Sequence, residues 1–130
     1  MTSKKKPNGS AVRIGVVGVG VMGSNHARVL TDLPDVHLAG IADPDRGQAE
    51  RVAKAVGCPA VTDLDGLFAL GVDAISIAAP THLHHSLALA AIERGVHVMV
   101  EKPIASTALE GRDIVAAAAR AGVALTVGHV

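Results

Sequence analysis

Tryptophan and tyrosine are absent from the 130 residues, and Phe68 is the only aromatic side chain. Any core has to be built from Val, Ala, Leu and Ile, a composition that suits parallel strands covered by Ala-rich helices. An excess of either charge is missing too: twelve basic and twelve acidic residues cancel, which removes the electrostatic case for nucleic acid or a membrane surface as the main partner. Cys58 is the single cysteine, so an internal disulfide and a Cys-only metal cluster are both excluded. It precedes Pro59 in a helix-to-strand connection and reads as packing filler rather than a reactive thiol. There is no apolar run of about 18 residues and no apolar stretch behind the N-terminal lysines, so neither a membrane span nor a secretory signal is supported, and a cytoplasmic location is expected. Lys4, Lys5 and Lys6 form the only basic cluster, and residues 1–11 read as a flexible, solvated basic tail.

What remains is one domain's length of chain, almost half of it apolar. Residues 12–130 read as that domain, and its organising stretch runs from Ile14 to Gly23. An apolar strand flows there without a break into a glycine-spaced turn. Gly18 supplies the tight turn, Gly20 leaves no side chain between the backbone and a pyrophosphate, and Gly23 lets the next helix pack close to the strand. The helix N-terminus then offers free N–H groups to an anion. Gly18, Val19, Gly20, Val21, Met22 and Gly23 are therefore candidate cofactor-binding residues, although a glycine turn after a strand is common and is weak by itself.

The rest of the chain makes the signal specific. The first helix is expected over 21–31, with Val21, Met22, Val29 and Leu30 as its apolar face. A second strand, 36–42, ends at Asp43, twenty residues after Gly23. That distance returns the chain to the edge of the neighbouring parallel strand, where a carboxylate accepts the hydroxyl hydrogens of the adenosine ribose. Asp43 also suits a helix cap, ahead of a helix expected over 45–56. A carboxylate there repels a 2′-phosphate, so NAD is expected rather than NADP. Arg46, three residues on, is placed to stack on adenine or reach a 2′-phosphate, or simply to lie solvated on the helix.

A short third strand, 60–61, leads to a helix with a Thr62 cap and Leu64, Leu67, Phe68 and Leu70 in the core. The fourth strand, 72–79, ends in Ala79, Pro80 and Thr81, on the sheet edge that carries Gly18 and Asp43. His82, His84 and His85 open the next helix, whose inward residues are expected to be Leu83, Leu87, Ala90 and Ala91. These histidines fan around the helix start without a Cys or acidic ligand to complete a set, so no metal is expected and partly exposed imidazoles are. The fifth strand ends in Glu101-Lys102-Pro103. Lys102 at that edge is placed to hydrogen-bond a substrate hydroxyl or carbonyl, and Glu101 to meet the nicotinamide ribose or orient Lys102. A solvated ion pair is the plainer alternative. Thr107 and Glu110 make a capping box for the last helix, and a sixth strand covers 123–127. The reading is an α/β, Rossmann-type doubly wound parallel sheet of about six strands, in order 3-2-1-4-5-6, with helices on both faces.

Taken together, the glycine loop with His26 shortly after it, Asp43, the Pro80-Thr81-His82-Leu83-His84 segment, Glu101-Lys102-Pro103 and Val127-Gly128-His129 resemble the N-terminal domain of the Gfo/Idh/MocA oxidoreductases, the glucose-fructose oxidoreductase and inositol dehydrogenase family. The resemblance covers about residues 12–130. It implies an NAD(P)-dependent dehydrogenase acting on a sugar, polyol, inositol or nucleotide sugar, with Lys102 beside the substrate hydroxyl and Glu101 near the nicotinamide ribose. Pro80 and Thr81 would lie along the cofactor, and His84 would be structural or cofactor-adjacent. Thr81 departs from the commoner Asn. The resemblance also implies a second, substrate-binding domain and a homo-oligomeric parent; that domain is absent from this chain, which reads as a cofactor domain that binds without turnover. A non-catalytic dinucleotide-binding or sensing module is the alternative. A short-chain dehydrogenase is excluded, because its Tyr-x-x-x-Lys pair needs a tyrosine.

Overall fold

The computed structural model describes residues 11–128. The tail expected over 1–11 lies, apart from Ala11, outside the described residues, as does His129. Six strands form one parallel sheet: β1 (Val12–Val17), β2 (Val36–Ala42), β3 (Ala60–Val61), β4 (Ala74–Ile77), β5 (His97–Glu101) and β6 (Leu125–Gly128). Their order is β3-β2-β1-β4-β5-β6, as the sequence pattern implies. The helices are α1 (Val21–Thr31), α2 (Arg46–Val56), α3 (Leu64–Ala69), α4 (His84–Glu93) and α5 (Ala108–Ala121).

Strand alternation sends neighbouring side chains to opposite faces and so builds two cores. Val16 and Ile41 join Ala27 and Leu30 of α1 and Ala49 and Ala53 of α2 on one face. Val17, Ile75, Ile77 and Val100 join Leu67 of α3, Ala88 of α4 and Ile114 of α5 on the other. Gly15 and Gly40 matter to the second packing layer. A Cβ on Gly15 would lie 2.7 Å from Leu67 Cδ2, and one on Gly40 2.5 Å from Leu70 Cδ1. The missing side chains let α3 settle onto the sheet.

Several local expectations need correction. In α1 the buried residues are Gly23, His26, Ala27 and Leu30, whereas Val21, Met22 and Val29 are 81%, 42% and 40% exposed. The cause is Gly23: its close approach to Gly18 sets the rotation of the helix. At 100° per residue, positions 26, 27 and 30 follow it inward while 21 and 29 fall on the far side. In α4 the buried residues are His84, Ala88, Ala91 and Ile92. Leu83 belongs to a preceding 3-10 turn, Thr81–Leu83, and is 37% exposed. Asp63, not Thr62, caps α3 by accepting from Gly66 N, and Asp45, not Asp43, caps α2 by accepting from Gln48 N. Strand β4 covers only 74–77 of the expected 72–79; just before it, Asp73 N donates to Arg13 O at 2.7 Å, its carbonyl accepts from His97 N at 3.0 Å, and its Oδ2 accepts from Arg13 N at 2.8 Å. Thr107 caps α5 as expected, accepting from Glu110 N.

Cys58 lies half-buried between α2 and β3, and desolvation pushes its thiol from 9.0 up to about 11. At pH 8 a disulfide reagent should therefore label the folded chain on the order of 100-fold more slowly than the urea-unfolded chain, because the thiolate is the nucleophile. Because the folded value is the higher one, the stabilisation from keeping the thiol neutral is full below about pH 9 and is lost as pH rises through about 11. Equal labelling rates in the two states would contradict this placement.

Candidate functional site

The C-terminal ends of β1, β2, β4 and β5 lie side by side, and four chain segments meet there. The first is the glycine loop. Gly18 has φ +89°, a left-handed conformation that favours glycine. It is wedged between its neighbours: its N–H donates to Ala42 O at 2.8 Å, and a Cβ on it would lie 2.8 Å from Ala79 N. A Cβ on Gly23 would lie 1.7 Å from Gly18 O. The fold thus accounts for both glycines.

It does not account for Gly20. A Cβ there would meet nothing within 4 Å. Gly20 is the N-cap of α1, where no side chain accepts a hydrogen bond and no acidic residue occupies the first turn. The open space above it faces unpartnered N–H groups and the positive end of a helix dipole. That arrangement suits an anion that approaches the backbone itself, as a pyrophosphate does.

The second segment begins at Asp43, just past β2. Its Oδ2 accepts from Val19 N at 2.9 Å and its Oδ1 from Asp45 N at 2.8 Å. The carboxylate is thereby fixed against the glycine loop, and each oxygen retains a lone pair for a further donor. Val19 is held on its other side as well, since its carbonyl accepts from Ser24 Oγ at 3.1 Å and from the Gln48 side chain. Ser24 and Gln48 were not anticipated from the sequence; only their positions, one residue past Gly23 and five past Asp43, hinted at it. Arg46 opens α2 from an exposed position.

Ala79, Pro80 and Thr81 leave β4 as the third segment, with Pro80 exposed and Thr81 half-buried. The three histidines that follow diverge. His82 faces solvent, and His85 Nε2 lies 2.7 Å from Asp113 Oδ2 on α5. His84 is 1% exposed, with Nδ1 3.0 Å from Pro103 O and Nε2 2.9 Å from Ala79 O. The expected partly exposed imidazole at His84 is therefore a buried strut tying the end of β4 to the turn after β5. Both of its contacts are to backbone carbonyls. Among the described residues, no three His, Cys, Asp or Glu side chains converge on one point.

The fourth segment is Glu101-Lys102-Pro103, with a cis peptide bond between Lys102 and Pro103. Lys102 is exposed. Glu101 turns inward: its Oε1 lies 2.7 Å from Nε2 of His26, and the two side chains are 11% and 3% exposed. His26 Nδ1 is 2.9 Å from Ser76 Oγ on β4, a residue only 2% exposed. In the sequence His26 stands only as part of the resemblance, without a role. Its position three residues after Gly23, on the inward stripe of α1, was the available signal.

The residues present fit a dinucleotide: bare backbone at Gly20, a helix N-terminus for the pyrophosphate, and a prepositioned carboxylate for a diol. A family model described as an oxidoreductase family with an NAD-binding Rossmann fold matches residues 12–129. Inositol 2-dehydrogenase 1 of Saccharopolyspora erythraea is 41% identical over 109 residues, covering 81% of this chain and 32% of that protein. The structure of GenD2 from gentamicin A biosynthesis in complex with NAD superposes with a TM-score of 0.88 at 32% identity, over 98% of this chain and 37% of that one. UDP-N-acetylglucosamine 3-dehydrogenase GnnA of Acidithiobacillus ferrooxidans gives a TM-score of 0.85 at 35% identity, over 91% and 38%. The chain spans about a third of the length of the curated relatives it matches. With the glycine loop, Asp43 and the Lys102 turn on one sheet edge, and with this match along nearly its whole length, the chain belongs to the Gfo/Idh/MocA oxidoreductase family as its NAD-binding Rossmann domain.

Proposed function

We propose that this domain holds NAD for an enzyme that oxidises or reduces a secondary hydroxyl or carbonyl of a cyclic polyol, inositol, sugar or nucleotide sugar. The observation that carries the reading is the open backbone at Gly20, above the uncapped end of α1 and beside a carboxylate already fixed to the same loop. Bound NAD supplies the hydride acceptor or, reduced, the donor. The residues of this chain bind and orient. Val21, Met22 and Gly23 give the N–H groups of the first turn to the pyrophosphate, and Gly18 and Val19 shape the loop beneath it. Asp43 accepts from the adenosine ribose, and Arg46 flanks the adenine. Ala79, Pro80 and Thr81 line the path towards the nicotinamide, with His84 bracing them from below. Glu101 and Lys102 stand at the nicotinamide end, where Lys102 gives or takes the proton at the substrate oxygen.

The names of the relatives support the substrate class: one is an inositol 2-dehydrogenase and another a UDP-N-acetylglucosamine 3-dehydrogenase. Turnover belongs to a longer protein in which a second domain brings the substrate, and that protein works in the cytoplasm as a homo-oligomer. No helix among the described residues is long and apolar enough to cross a membrane.

Calorimetric titration of the chain with NAD and NADP tests the reading. NAD is expected to bind at least about tenfold more tightly, because Asp43 repels a 2′-phosphate. Asp43→Asn, which keeps the shape and removes the charge, should shrink that preference to within about threefold. Tighter binding of NADP by the unaltered chain would overturn the role given to Asp43.

A further inference from the structure

Of the buried histidines at the site, His26 and His84, His26 is the one the binding scheme leaves without work. It projects from the inward stripe of α1 at 3% exposure, and α1 is the helix whose N-terminus faces the open glycine loop. Its two nitrogens touch two different strands: Nδ1 lies 2.9 Å from Ser76 Oγ on β4, and Nε2 lies 2.7 Å from Glu101 Oε1 at the end of β5.

The available hydrogens decide the arrangement. Ser76 has one hydroxyl hydrogen, directed either to His26 Nδ1 or to the Met99 sulfur, 4.0 Å away. In the first case Nδ1 accepts and a neutral imidazole carries its hydrogen on Nε2; in the second Nδ1 donates to Ser76 Oγ. Either way the Nε2 edge of the ring stands 2.7 Å from Glu101 Oε1, an ion-pair separation that lacks the alignment of a hydrogen bond. A carboxylate so nearly buried needs such a partner. Successive residues at a strand end project to opposite sides, so fixing Glu101 against α1 also fixes the direction in which Lys102 leaves the backbone.

We propose that His26 is a positioning residue: it holds the Glu101 carboxylate beneath the sheet edge and, through that anchor, sets the backbone of the Glu101-Lys102-Pro103 turn against the nicotinamide end of the dinucleotide. The inference rests on the dinucleotide reading above. It sets His26 apart from the glycine loop that shares its helix, because its effect falls on one half of the ligand only.

The test uses this chain and two probes, NADH and ADP-ribose, which lacks the nicotinamide. His26→Leu is expected to weaken NADH about tenfold while ADP-ribose binds within a factor of about two of the unaltered chain. His26→Gln, which keeps a side-chain donor, should restore most of the NADH affinity. Glu101→Gln should also weaken NADH selectively, and combining it with His26→Leu should add little, since both remove one contact. Nitrogen NMR of the imidazoles gives an independent readout: the Nε2 signal of His26, 2.7 Å from Glu101 Oε1, should move in Glu101→Gln. Should the leucine variant not fold, the glutamine variants at 26 and 101 decide. Equal weakening of both probes, or neither weakened, overturns the proposal. An unaltered chain that binds neither probe overturns the dinucleotide reading, and the proposal with it.

Discussion

Gly23→Ala is expected to destabilise the domain by about 3 kcal/mol or more, with loss of measurable NAD binding, whereas Gly20→Ala should leave the fold nearly untouched and lower NAD affinity by at least about tenfold. The two glycines sit three residues apart in one motif, yet their surroundings differ completely. A Cβ on Gly23 would lie 1.7 Å from Gly18 O and 2.7 Å from Gly18 C, both backbone atoms that no rotamer change can move aside. Relief requires α1 to lift off the end of β1. That would uncover Ala27 and Leu30, which pack with Val16 and Ile41. A domain of ordinary stability, about 5–15 kcal/mol, loses a large fraction of it to such a change. At Gly20 the added methyl meets no protein atom within 4 Å, and φ −68°, ψ −156° is extended backbone open to alanine. Its stability should therefore stay within about 1 kcal/mol of the parent. The methyl would instead occupy the space through which a pyrophosphate reaches the N–H groups of α1. Urea denaturation and calorimetry on both variants separate the two effects. Full NAD affinity in Gly20→Ala would mean that the ligand does not approach that backbone. Unchanged stability in Gly23→Ala would mean that helix and strand are not in contact there.

The same contrast shows what was legible in the sequence. Strand order and the site's edge followed from apolar runs punctuated by glycine, and the spacing from Gly23 to Asp43 placed the carboxylate beside the loop, where its Oδ2 meets Val19 N. These are properties of chain distance and period, which a sequence carries openly. Helix rotation was not so carried. Val21, Met22 and Val29 satisfy an apolar pattern, but the contact at Gly23 turns them outward. Glu101 was equally ambiguous, because a carboxylate at a strand end can face solvent, ligand or a neighbour. Its direction depends on His26, seventy-five positions earlier and brought near only because α1, packed on β1 and β2, sends that side chain across to Ser76 and Glu101. His84 is the parallel case on the opposite face: a polar residue at a helix start became a buried strut because two carbonyls from separate segments converge on its ring.

The largest effect on chemistry is expected at Lys102. In a chain that joins this domain to a substrate-binding remainder of the length seen in the relatives, Lys102→Ala should lower turnover by about 10²–10⁴-fold, the usual worth of a positioned general acid or base. NAD affinity should change by no more than about threefold, since an exposed lysine contributes little uniform binding. The reason for so uneven a split is position. The residues that grip a dinucleotide are grouped at Gly20 and Asp43, whereas Lys102 leaves the sheet from the end of β5, beyond the two strands that carry them. Lys102→Arg sharpens the test. Arginine keeps the positive charge and could still polarise a substrate oxygen, but its guanidinium does not give up a proton. If Lys102 moves a proton, the arginine variant should stay within about tenfold of the alanine variant; if its charge alone matters, arginine should recover most of the loss. Rapid single-turnover measurement of NADH formation reads the chemical step directly, free of product release. Unchanged turnover in Lys102→Ala would remove Lys102 from the reaction and leave this edge as a binding surface only.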